Sequence, residues 1–395
     1  MVISILGMSG MDREKINKTT AYYNCEQLDK KSGEYYNATD MLLKNYHDRF
    51  YFLGTYEAIE FQKKLLNYPE DTIIFLEIKD NSLDEIFEKV YELISKAKMS
   101  EEILLDITHG FRHQSISAIF SATLHRFLHE SNLKIIFAKQ VIEFKEYEYI
   151  SLNEYIDITQ LALLLTGFIR TLNFVESGTI DGFATIAFSN FSKALLSNDF
   201  YTLHNAYKNL LITLQRAKTD KKFDHLKELF EQIEETLAVF ENFDKEPIYK
   251  QYCIVANLMF EKNYILLSLT YLFEAIRWYC SYTFHENGII SKHTWKTFDQ
   301  YRLNQDVISF ISQKSIKKYR QNFYDKNFLT LYENNKTLFE PIATEYEALK
   351  GLRNHLTHVN PKQHTVDIKS SLKQHLNKIT ALIDEDCLKN LHVKN

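Results

Sequence analysis

The chain has 395 residues, of which 45% are hydrophobic and 25% are charged, and its formal net charge is −5. This length allows one large core or two ordinary ones, and it favours two domains. Only 4 Pro and 10 Gly are present, which argues against an all-β sandwich and favours long helices. The negative charge excludes a generally basic nucleic-acid-binding protein, although a local basic patch is compatible with it.

Cysteine spacing and apolar runs narrow the class of protein further. The four cysteines stand far apart without a C-x-x-C pair, so we predict reduced thiols and neither a disulfide framework nor a structural metal site. The longest apolar run, 161–169, is shorter than the roughly 18 residues of a membrane span. The first residues are typical of a strand and not of a signal peptide. We therefore expect a cytoplasmic protein with no membrane contact.

Residues 1–155 alternate apolar runs of strand length with helical patterns. Strands are predicted at 2–6, 49–53, 73–78, 103–106 and 133–138, and helices at 38–46, 56–66, 83–98 and from the 103–106 strand to about 130. A hairpin or an irregular connection is predicted at 20–36, and a hairpin at 141–152. Strands that alternate with helices in this way predict an α/β fold with a doubly wound parallel sheet.

The end of the strand at 103–106 carries the residues with the richest chemistry. Asp106 ends the strand, and Thr108, His109, Gly110 and Arg112 lie in the loop before the helix. Open α/β sheets bind ligands at the carboxyl ends of their strands, and the free N–H groups of a helix start attract anions. Gly110 lets the backbone approach a ligand, and Arg112 offers a planar set of donors for a phosphate or an adenine edge. The alternative is an ordinary turn in which Asp106 caps the helix and Arg112 is solvated.

Two further strand ends are predicted to share that edge of the sheet. Ser9 and Gly10 lie in the small-residue loop after the first strand, and Thr55 follows the strand at 49–53. A single Gly-x-x-Gly is too common to indicate phosphate binding, and a plain turn is the alternative. The predicted ligand-binding residues are Ser9, Gly10, Thr55, Asp106, Thr108, His109, Gly110 and Arg112.

Residues 106–110, Asp-Ile-Thr-His-Gly, resemble the Asp-x-Thr-His-Gly signature of CARF domains. These are the Rossmann-like sensors of cyclic oligoadenylate in CRISPR-associated proteins, and the order of strands resembles theirs over roughly the first 150 residues. The resemblance implies an activator that is a cyclic oligoadenylate of four or six units, and it implies no cofactor.

From residue 157 onward the sequence predicts helices almost exclusively, and therefore an all-α second domain at 156–395. Helix-like apolar periodicity occurs at 158–174, 188–196, 201–216, 223–240, 249–284, 306–310 and 341–358. The segment 314–326 is basic with interleaved aromatics, which suits single-stranded nucleic acid. Its alternative is a solvated helix face.

A helix predicted from Pro341 to Val359 carries the second group of candidate residues. Pro341 suits its first turn and Pro361 its end, and Leu349, Leu352, Leu356 and Val359 form a predicted buried stripe. Asn354 and His358 share a face roughly opposite that stripe, and Arg353 lies between the two faces. We expect a second copy of the chain to complete a site there.

The chemistry of these three side chains suits RNA cleavage without a metal. An imidazole can take a proton from a ribose hydroxyl or return one, a guanidinium can hold a phosphate, and an amide can orient either group. About one Arg-x4-6-His match is expected by chance in such a sequence. Spacing alone therefore does not establish a catalytic site.

Residues 353–358, Arg-Asn-His-Leu-Thr-His, resemble the Arg-Asn-x3-His form of the HEPN ribonuclease motif. A CARF domain followed by a HEPN domain is the layout of ancillary ribonucleases of type III CRISPR systems. The resemblance implies metal-independent cleavage of single-stranded RNA across a homodimer interface, with Arg353, Asn354 and His358 as catalytic residues. It leaves open whether 157–340 holds a winged-helix insert or only extended HEPN helices.

Three other functions remain as alternatives. A non-catalytic sensor would bind the same activator and signal through its helices, which the intact motif disfavours. A ring nuclease would cleave the activator in the sensor domain, with Thr108 or Ser9 positioning the ribose. A generic NAD-binding enzyme is least favoured, because no Gly-x-Gly-x-x-Gly follows the first strand.

Overall fold

A computed structural model describes most of the chain as an α/β region followed by helices. The described residues are 1–8, 11–12, 15–16, 19–66, 72–80, 82–98, 101–129, 131–175, 180, 182–312, 328–357 and 365–393. They form an eight-stranded, mainly parallel sheet with helices, followed by an entirely helical C-terminal region. The predicted fold class, α/β plus all-α with a doubly wound sheet, is confirmed.

The chain divides into two compact units by its internal contacts. The first comprises Met1–Thr166, Phe174–Ser189 and Ala217–Leu226, and the second comprises Gly167–Asn173, Asn190–Arg216 and Lys227–Asn395. A single domain boundary at residue 155 stays a prediction.

The strands follow the predicted order closely. Their bounds are β1 Val2–Ile5, β2 Met11–Asp12, β3 Lys15–Ile16, β4 Ala21–Asn24, β5 Gly33–Tyr35, β6 Phe50–Gly54, β7 Ile73–Glu77, β8 Ile103–Asp106, β9 Leu133–Ile142 and β10 Glu146–Ser151. The main sheet has the order β5-β4-β10-β9-β8-β1-β6-β7, while β2 and β3 pair separately. The predicted hairpins correspond to β4 with β5 and β9 with β10, which pair antiparallel.

A switch point in the sheet lies between β1 and β8. Strand β1 pairs in parallel with β6 on one side and with β8 on the other, and β7 and β9 continue the parallel run outward. The chain therefore builds the sheet in one direction from β1 and returns to the opposite side with β8. Ligands of open α/β sheets bind at the carboxyl ends of strands at such a point.

Helices cover both faces of this sheet. In β1, Val2 packs with the buried side chains of α1 (Ala38–Asn45) and α2 (Tyr56–Leu65). Ile3 packs on the opposite face with α3 (Leu83–Ser95) and α4 (Arg112–Leu128). Because β1 lies between two apolar layers, its side chains are apolar on both faces, except for Ser4, which donates a hydrogen bond to Asp106.

Helix α4 packs small residues against α3 and exposes a row of large apolar residues on another side. Ser117 and Ser121 donate hydrogen bonds to the carbonyls of Leu83 and Phe87 in α3, at 2.7 Å and 2.8 Å. On the other side lie four large side chains spaced four residues apart, which we call the α4 apolar surface. They are Ile116, Phe120, Leu124 and Leu128, exposed by 52%, 65%, 41% and 60%.

The remaining helices differ from the predicted ones in several places. Their bounds are α5 Asn153–Thr171, α6 Thr185–Leu196, α7 Phe200–Thr219, α8 Lys227–Leu237, α9 Ile248–Glu261, α10 Ile265–Glu286, α11 Lys292–Thr297, α12 Gln300–Ser312, α13 Phe328–Thr357 and α14 Thr365–Asp384. The pattern at 249–284 is divided into α9 and α10 by a tight turn, and neither α11 nor α14 was predicted. The basic segment 314–326 lies outside the described residues.

The predicted helix start at Pro341 is wrong, because α13 begins at Phe328 and Pro341 lies inside it. A proline in a helix interior removes one backbone hydrogen bond and costs about 3 kcal/mol. Phe339, Ile342 and Tyr346 on the same helix are all buried. Burial of side chains of this size stabilises the helix by roughly 1.5–3 kcal/mol each, which outweighs the proline. Val359 and Pro361 lie outside the described residues.

The structure also bears on the predicted state of the cysteines and on membrane-spanning helices. All four cysteines are free, as predicted, and Cys25, Cys253 and Cys280 are buried. Among the helices of the described ranges, none is both long enough and apolar enough to cross a membrane.

Candidate functional site

The first candidate site is the loop that joins β8 to α4 at the switch point. Asp106 ends β8 and pairs in register with Ser4 of β1 on one side and with Ile136 of β9 on the other. The loop continues through Thr108, His109 and Gly110 to the helix start at Arg112. The structure therefore brings five of the predicted ligand-binding residues, Asp106, Thr108, His109, Gly110 and Arg112, to the carboxyl end of β8.

Asp106 is fully buried and anchors the loop. Its Oδ2 accepts a hydrogen bond from Ser4 Oγ at 2.7 Å, and its Oδ1 accepts bonds from the backbone N–H of Thr108 at 3.2 Å and from Thr108 Oγ1 at 2.5 Å. Burial raises the pKa of this carboxyl from 3.8 to about 6, against the opposing effect of its hydrogen bonds. Asp106 does not cap α4, so this part of the plain-turn alternative is wrong.

The hydroxyl of Thr108 is engaged by the protein in both directions. It donates to Asp106 and accepts from the backbone N–H of Ala138 in β9 at 2.8 Å. These bonds tie the loop to the adjacent strand. In this arrangement Thr108 shapes the site, and the one proton of its hydroxyl is already donated to Asp106.

His109 is the residue of the loop whose polar atom has no protein partner. The ring nitrogen Nε2 is enclosed without a hydrogen bond, and burial lowers the pKa of the imidazole to about 4. The ring is therefore neutral at physiological pH and provides one donor and one acceptor. An enclosed polar atom without a partner is a destabilising feature that a bound ligand can relieve.

Two glycines, Gly7 and Gly110, allow the backbone to pack closely around His109. Gly110 has a φ of +87°, and a Cβ there would lie 2.5 Å from both Gln114 Oε1 and Ile5 Cγ2. A Cβ on Gly7 would lie 3.0 Å from Gly110 N and from the Cβ of His109. The loops after β1 and β8 therefore touch through backbone, and Gly110 is required by this close packing.

The start of α4 is fixed by side chains that sequence reasoning missed. Gln114 accepts the backbone N–H of Phe111 at 2.9 Å, and Ser115 Oγ donates to the carbonyl of Ile107 at 3.1 Å. Arg112, the first residue of α4, is exposed to solvent. A positively charged residue thus begins the helix at its N-terminus, where an anion is favoured.

The other predicted ligand-binding residues have different positions. Thr55 follows β6 and is the N-cap of α2, with its Oγ1 accepting the N–H of Ala58 at 3.4 Å. Ser9 and Gly10 lie outside the described residues. Nearby, buried Asn37 donates to Gln62, whose amide donates to the carbonyl of Gly7 at 2.7 Å. This buried polar chain orients the loop after β1 and has no signal in local sequence patterns.

The second candidate site lies on α13 in the second unit. Leu349 is fully buried, Leu352 and Leu356 are half-buried, and Arg353 and Asn354 are exposed. The exposure of Asn354 agrees with the predicted polar face opposite the leucine stripe. His358 lies outside the described residues, so its position relative to Arg353 and Asn354 stays a prediction.

Arg353 is held by an aromatic residue of α10 that sequence reasoning missed. Its guanidinium carbon lies 5.1 Å from the centroid of the Phe273 ring, which is buried and stacks on Tyr346 with centroids 4.9 Å apart. A cation over an aromatic face is attracted by about 0.5–1 kcal/mol when exposed and more when desolvated. The contact restricts the Arg353 side chain while leaving it accessible at the surface.

A second arginine lies next to this contact and is buried. Arg277 donates to Glu274 Oε1 at 2.6 Å and to the carbonyl of Tyr301 at 3.2 Å, and its guanidinium carbon is 5.7 Å from the Phe273 ring. Two cations therefore approach one aromatic ring. Within the described part of the chain, no group of three or more His, Cys, Asp or Glu side chains is arranged to hold a metal ion.

Comparison with known proteins gives a structural likeness but no match to a sequence family. No family model matches the chain, and no curated protein sequence matches it. Among solved structures, Enterococcus italicus Csm6 bound to cyclic hexa-2′-fluoro-hexa-dAMP is similar over 97% of this chain and 92% of its own, at 12% identity and a TM-score of 0.42. At that TM-score the match is a likeness only.

Proposed function

We propose that this protein is a CARF–HEPN endoribonuclease that cleaves single-stranded RNA, without a metal, when a cyclic oligoadenylate binds its α/β unit. The proposal rests on the two motif resemblances and on where their residues lie. It places Asp106 to Arg112 in the sensor and Arg353, Asn354 and His358 in the nuclease. A homodimer in antiviral CRISPR defence is part of the same proposal.

The observation that carries the proposal is the position of the Asp106–Arg112 loop. It lies at the carboxyl end of β8, beside β1, where the order of the parallel strands reverses. The loop combines an exposed guanidinium at a helix start with an enclosed imidazole nitrogen that has no protein partner. Phosphates of a nucleotide ring would meet Arg112 and the helix N–H groups, and a base or ribose edge would meet His109.

The proposed reaction is an internal transfer at the RNA phosphate. His358 takes the proton of the ribose 2′-hydroxyl, whose oxygen forms a bond to the adjacent phosphorus. The bond from phosphorus to the 5′-oxygen breaks, and that oxygen takes up the proton that the imidazolium returns, giving a 2′,3′-cyclic phosphate and a 5′-hydroxyl. Arg353 stabilises the charge that develops on the phosphate oxygens, and Asn354 orients the reacting groups.

Two features of the described residues support this division of roles. Arg353 and Asn354 are exposed on one helix, where a polymer can reach them. Thr108, which would position a ribose in a ring nuclease, uses its hydroxyl for Asp106 and Ala138. The ring-nuclease alternative then depends on Ser9 or on another group.

A cleavage assay tests the proposal directly. Labelled single-stranded RNA is incubated with the wild type, with and without each ring of four or six adenylates, and with and without EDTA. We expect cleavage only with one of the rings, unaffected by EDTA. His358→Ala should abolish cleavage and leave activator binding unchanged, whereas His355→Ala, which changes an exposed histidine of α13, should stay active.

The same assay separates the alternatives. Ring binding without cleavage of any RNA by the wild type would indicate the non-catalytic sensor. The amount of intact ring is measured by chromatography after incubation with the His358→Ala variant. A decrease in the intact ring would indicate a ring nuclease. Cleavage that requires an added divalent ion would contradict the assigned chemistry.

A further inference from the structure

A cavity of about 730 Å³ opens in the second unit next to the end of α13. Leu356 of α13 forms one side of it, the turn between α9 and α10 forms another, and the first turns of α14 form the third. Small-molecule sites typically have volumes of about 300–1,000 Å³. The cavity is therefore large enough for a nucleotide.

The cavity begins about one helical turn from Arg353. Leu356 lies three residues after Arg353 on α13, and side chains at this spacing are neighbours with Cβ atoms about 5–6 Å apart. On α10, Ile265 lines the cavity, and Phe273, which holds Arg353, lies eight residues further along. That spacing corresponds to about 12 Å along the helix. A chain bound at Arg353 can thus continue into the cavity.

A tight turn presents the polar and aromatic groups of the cavity. Asn263 adopts the left-handed conformation with φ of 65°, and the N–H of Tyr264 bonds to the carbonyl of Met259 at 2.8 Å. This closes α9 and starts α10 after three residues. Phe260 and Asn263 are thereby brought to the same wall of the cavity.

Two lysines of α14 supply positive charge opposite that wall. Lys369 and Lys373 are exposed and line the cavity. The Lys369 ammonium donates to Asn263 Oδ1 at 2.9 Å and lies 5.8 Å from the centroid of the Phe260 ring. An ammonium has three donors, so this bond leaves two for a ligand. Among the described residues that line the cavity, Glu261 is the one acidic residue.

We propose that this cavity is a binding site for a nucleotide of the single-stranded RNA substrate, adjacent to the phosphate held by Arg353. The base packs against Phe260, and Lys369 and Lys373 bind the next phosphate. The inference rests on the proposed function and adds to it a substrate site that neither motif contains. Stacking on an aromatic side chain and a lysine at the backbone are the usual elements of single-strand binding.

The lining also predicts a preference among bases. A carboxylate accepts hydrogen bonds from the amino groups of cytosine and adenine, and an amide both donates and accepts. Glu261 and Asn263 are therefore matched to a base with an exocyclic amino group next to an acceptor. Uracil lacks that amino group, and the amino group of guanine lies next to an N–H donor on its Watson–Crick edge, so cytosine or adenine is favoured at this position.

Binding can be measured without cleavage by using RNA whose 2′-hydroxyls are replaced by fluorine. Fluorescence anisotropy of such a labelled oligonucleotide is recorded with the wild type, Lys369→Gln, Lys369→Arg, Phe260→Leu and the control Lys336→Gln. Lys336 is exposed on α13, twenty residues before Leu356. Thermal unfolding of each variant verifies that it is folded.

We expect Lys369→Gln and Phe260→Leu to weaken binding about 3- to 10-fold, and Lys369→Arg and Lys336→Gln to leave it near the wild-type value. In parallel, sequencing of the products from all-ribose RNA should show Phe260→Leu and Glu261→Gln altering the base preference beside the cut. One outcome is that the wild type cleaves RNA while every cavity variant binds RNA as the wild type does and keeps its base preference. That result would overturn the cavity site and leave the proposed function intact. Binding that depends on Lys369 in a protein that cleaves no RNA would support the cavity and overturn the proposed function.

Discussion

The guanidinium carbon of Arg353 lies 5.1 Å from the centroid of the Phe273 ring, so a predicted catalytic side chain of α13 is held against α10. An arginine that is already restricted loses less conformational entropy when it binds a phosphate. Phe273→Leu should therefore lower kcat for RNA cleavage about two- to fivefold, which corresponds to a cation–π contact of about 0.5–1 kcal/mol. Arg353→Ala should abolish cleavage.

A matched control separates this effect from loss of stability. Phe284 is fully buried on the same helix, and Phe284→Leu removes a comparable ring without touching Arg353. Both variants should unfold at lower temperature, but only Phe273→Leu should lower kcat when both are assayed well below their unfolding temperatures. Equal kcat in the two variants would show that the ring does not position Arg353.

A second prediction concerns the pH dependence of stability through Asp106. Folding raises the pKa of this carboxyl from 3.8 to about 6, so between these pH values the folded protein binds more protons than the unfolded chain. The contribution of Asp106 to the free energy of unfolding is therefore fully present below about pH 4 and decreases as the pH rises through 6. The loss is about 3 kcal/mol for a shift of this size.

Asp106→Asn should remove that slope, because an amide does not titrate in this range. The amide can still accept from Thr108 through one atom, and its NH₂ group can donate to the Ser4 hydroxyl. Urea unfolding of both proteins at several pH values from 4 to 7 gives the comparison. Parallel stability curves for the two proteins would mean that Asp106 does not carry the raised pKa.

Sequence patterns located the elements of the sensor site but not its contacts. The run at 103–106, the glycine at 110 and the following helical periodicity predicted the strand, loop and helix, since each is determined by local residues. The partners of Asp106 in β1 and of Thr108 in β9 are about 100 and 30 residues away. No local pattern identifies a pairing of that separation.

At the second site, sequence patterns failed to predict a helix boundary and a long-range contact. The sequence predicts a helix start at Pro341, but α13 continues through this proline because its neighbours Phe339, Ile342 and Tyr346 are buried. Tertiary burial outweighs the local preference. The contact of Arg353 with Phe273 joins residues 80 positions apart, and the helix that lines the proposed RNA cavity, α14, had no predicted counterpart.

A third prediction concerns activator binding at the strand-end loop. Arg112→Ala should weaken binding of the cyclic oligoadenylate about ten- to hundredfold, since a charge-assisted hydrogen bond contributes roughly 1.5–3 kcal/mol. His109→Ala should weaken it about tenfold or less, because its imidazole is neutral. As the pKa of His109 is lowered to about 4, its contribution to binding should not change between pH 5.5 and 8.

Isothermal titration calorimetry with each ring provides the measurement, and Arg49→Ala provides the control. Arg49 is exposed just before β6, at the amino end of the parallel strands, away from the loop. If Arg112→Ala, His109→Ala and the wild type bind every ring with equal affinity, the ligand binds elsewhere.

The last prediction joins the proposed dimer to the α4 apolar surface. A ring of four or six identical units has two-fold symmetry, so two copies of the Asp106–Arg112 loop can bind it about one axis. Helix α4 starts at this loop and exposes Ile116, Phe120, Leu124 and Leu128, which a second copy of α4 could bury. Phe120→Glu should then give monomers in sedimentation velocity, and its rate of RNA cleavage should fall steeply on dilution. Tyr201→Glu changes an aromatic residue that is 91% exposed on α7 and should stay dimeric and active. A dimeric Phe120→Glu protein would remove α4 from the interface, and a fully active monomer would show that one copy of Arg353, Asn354 and His358 is sufficient for cleavage.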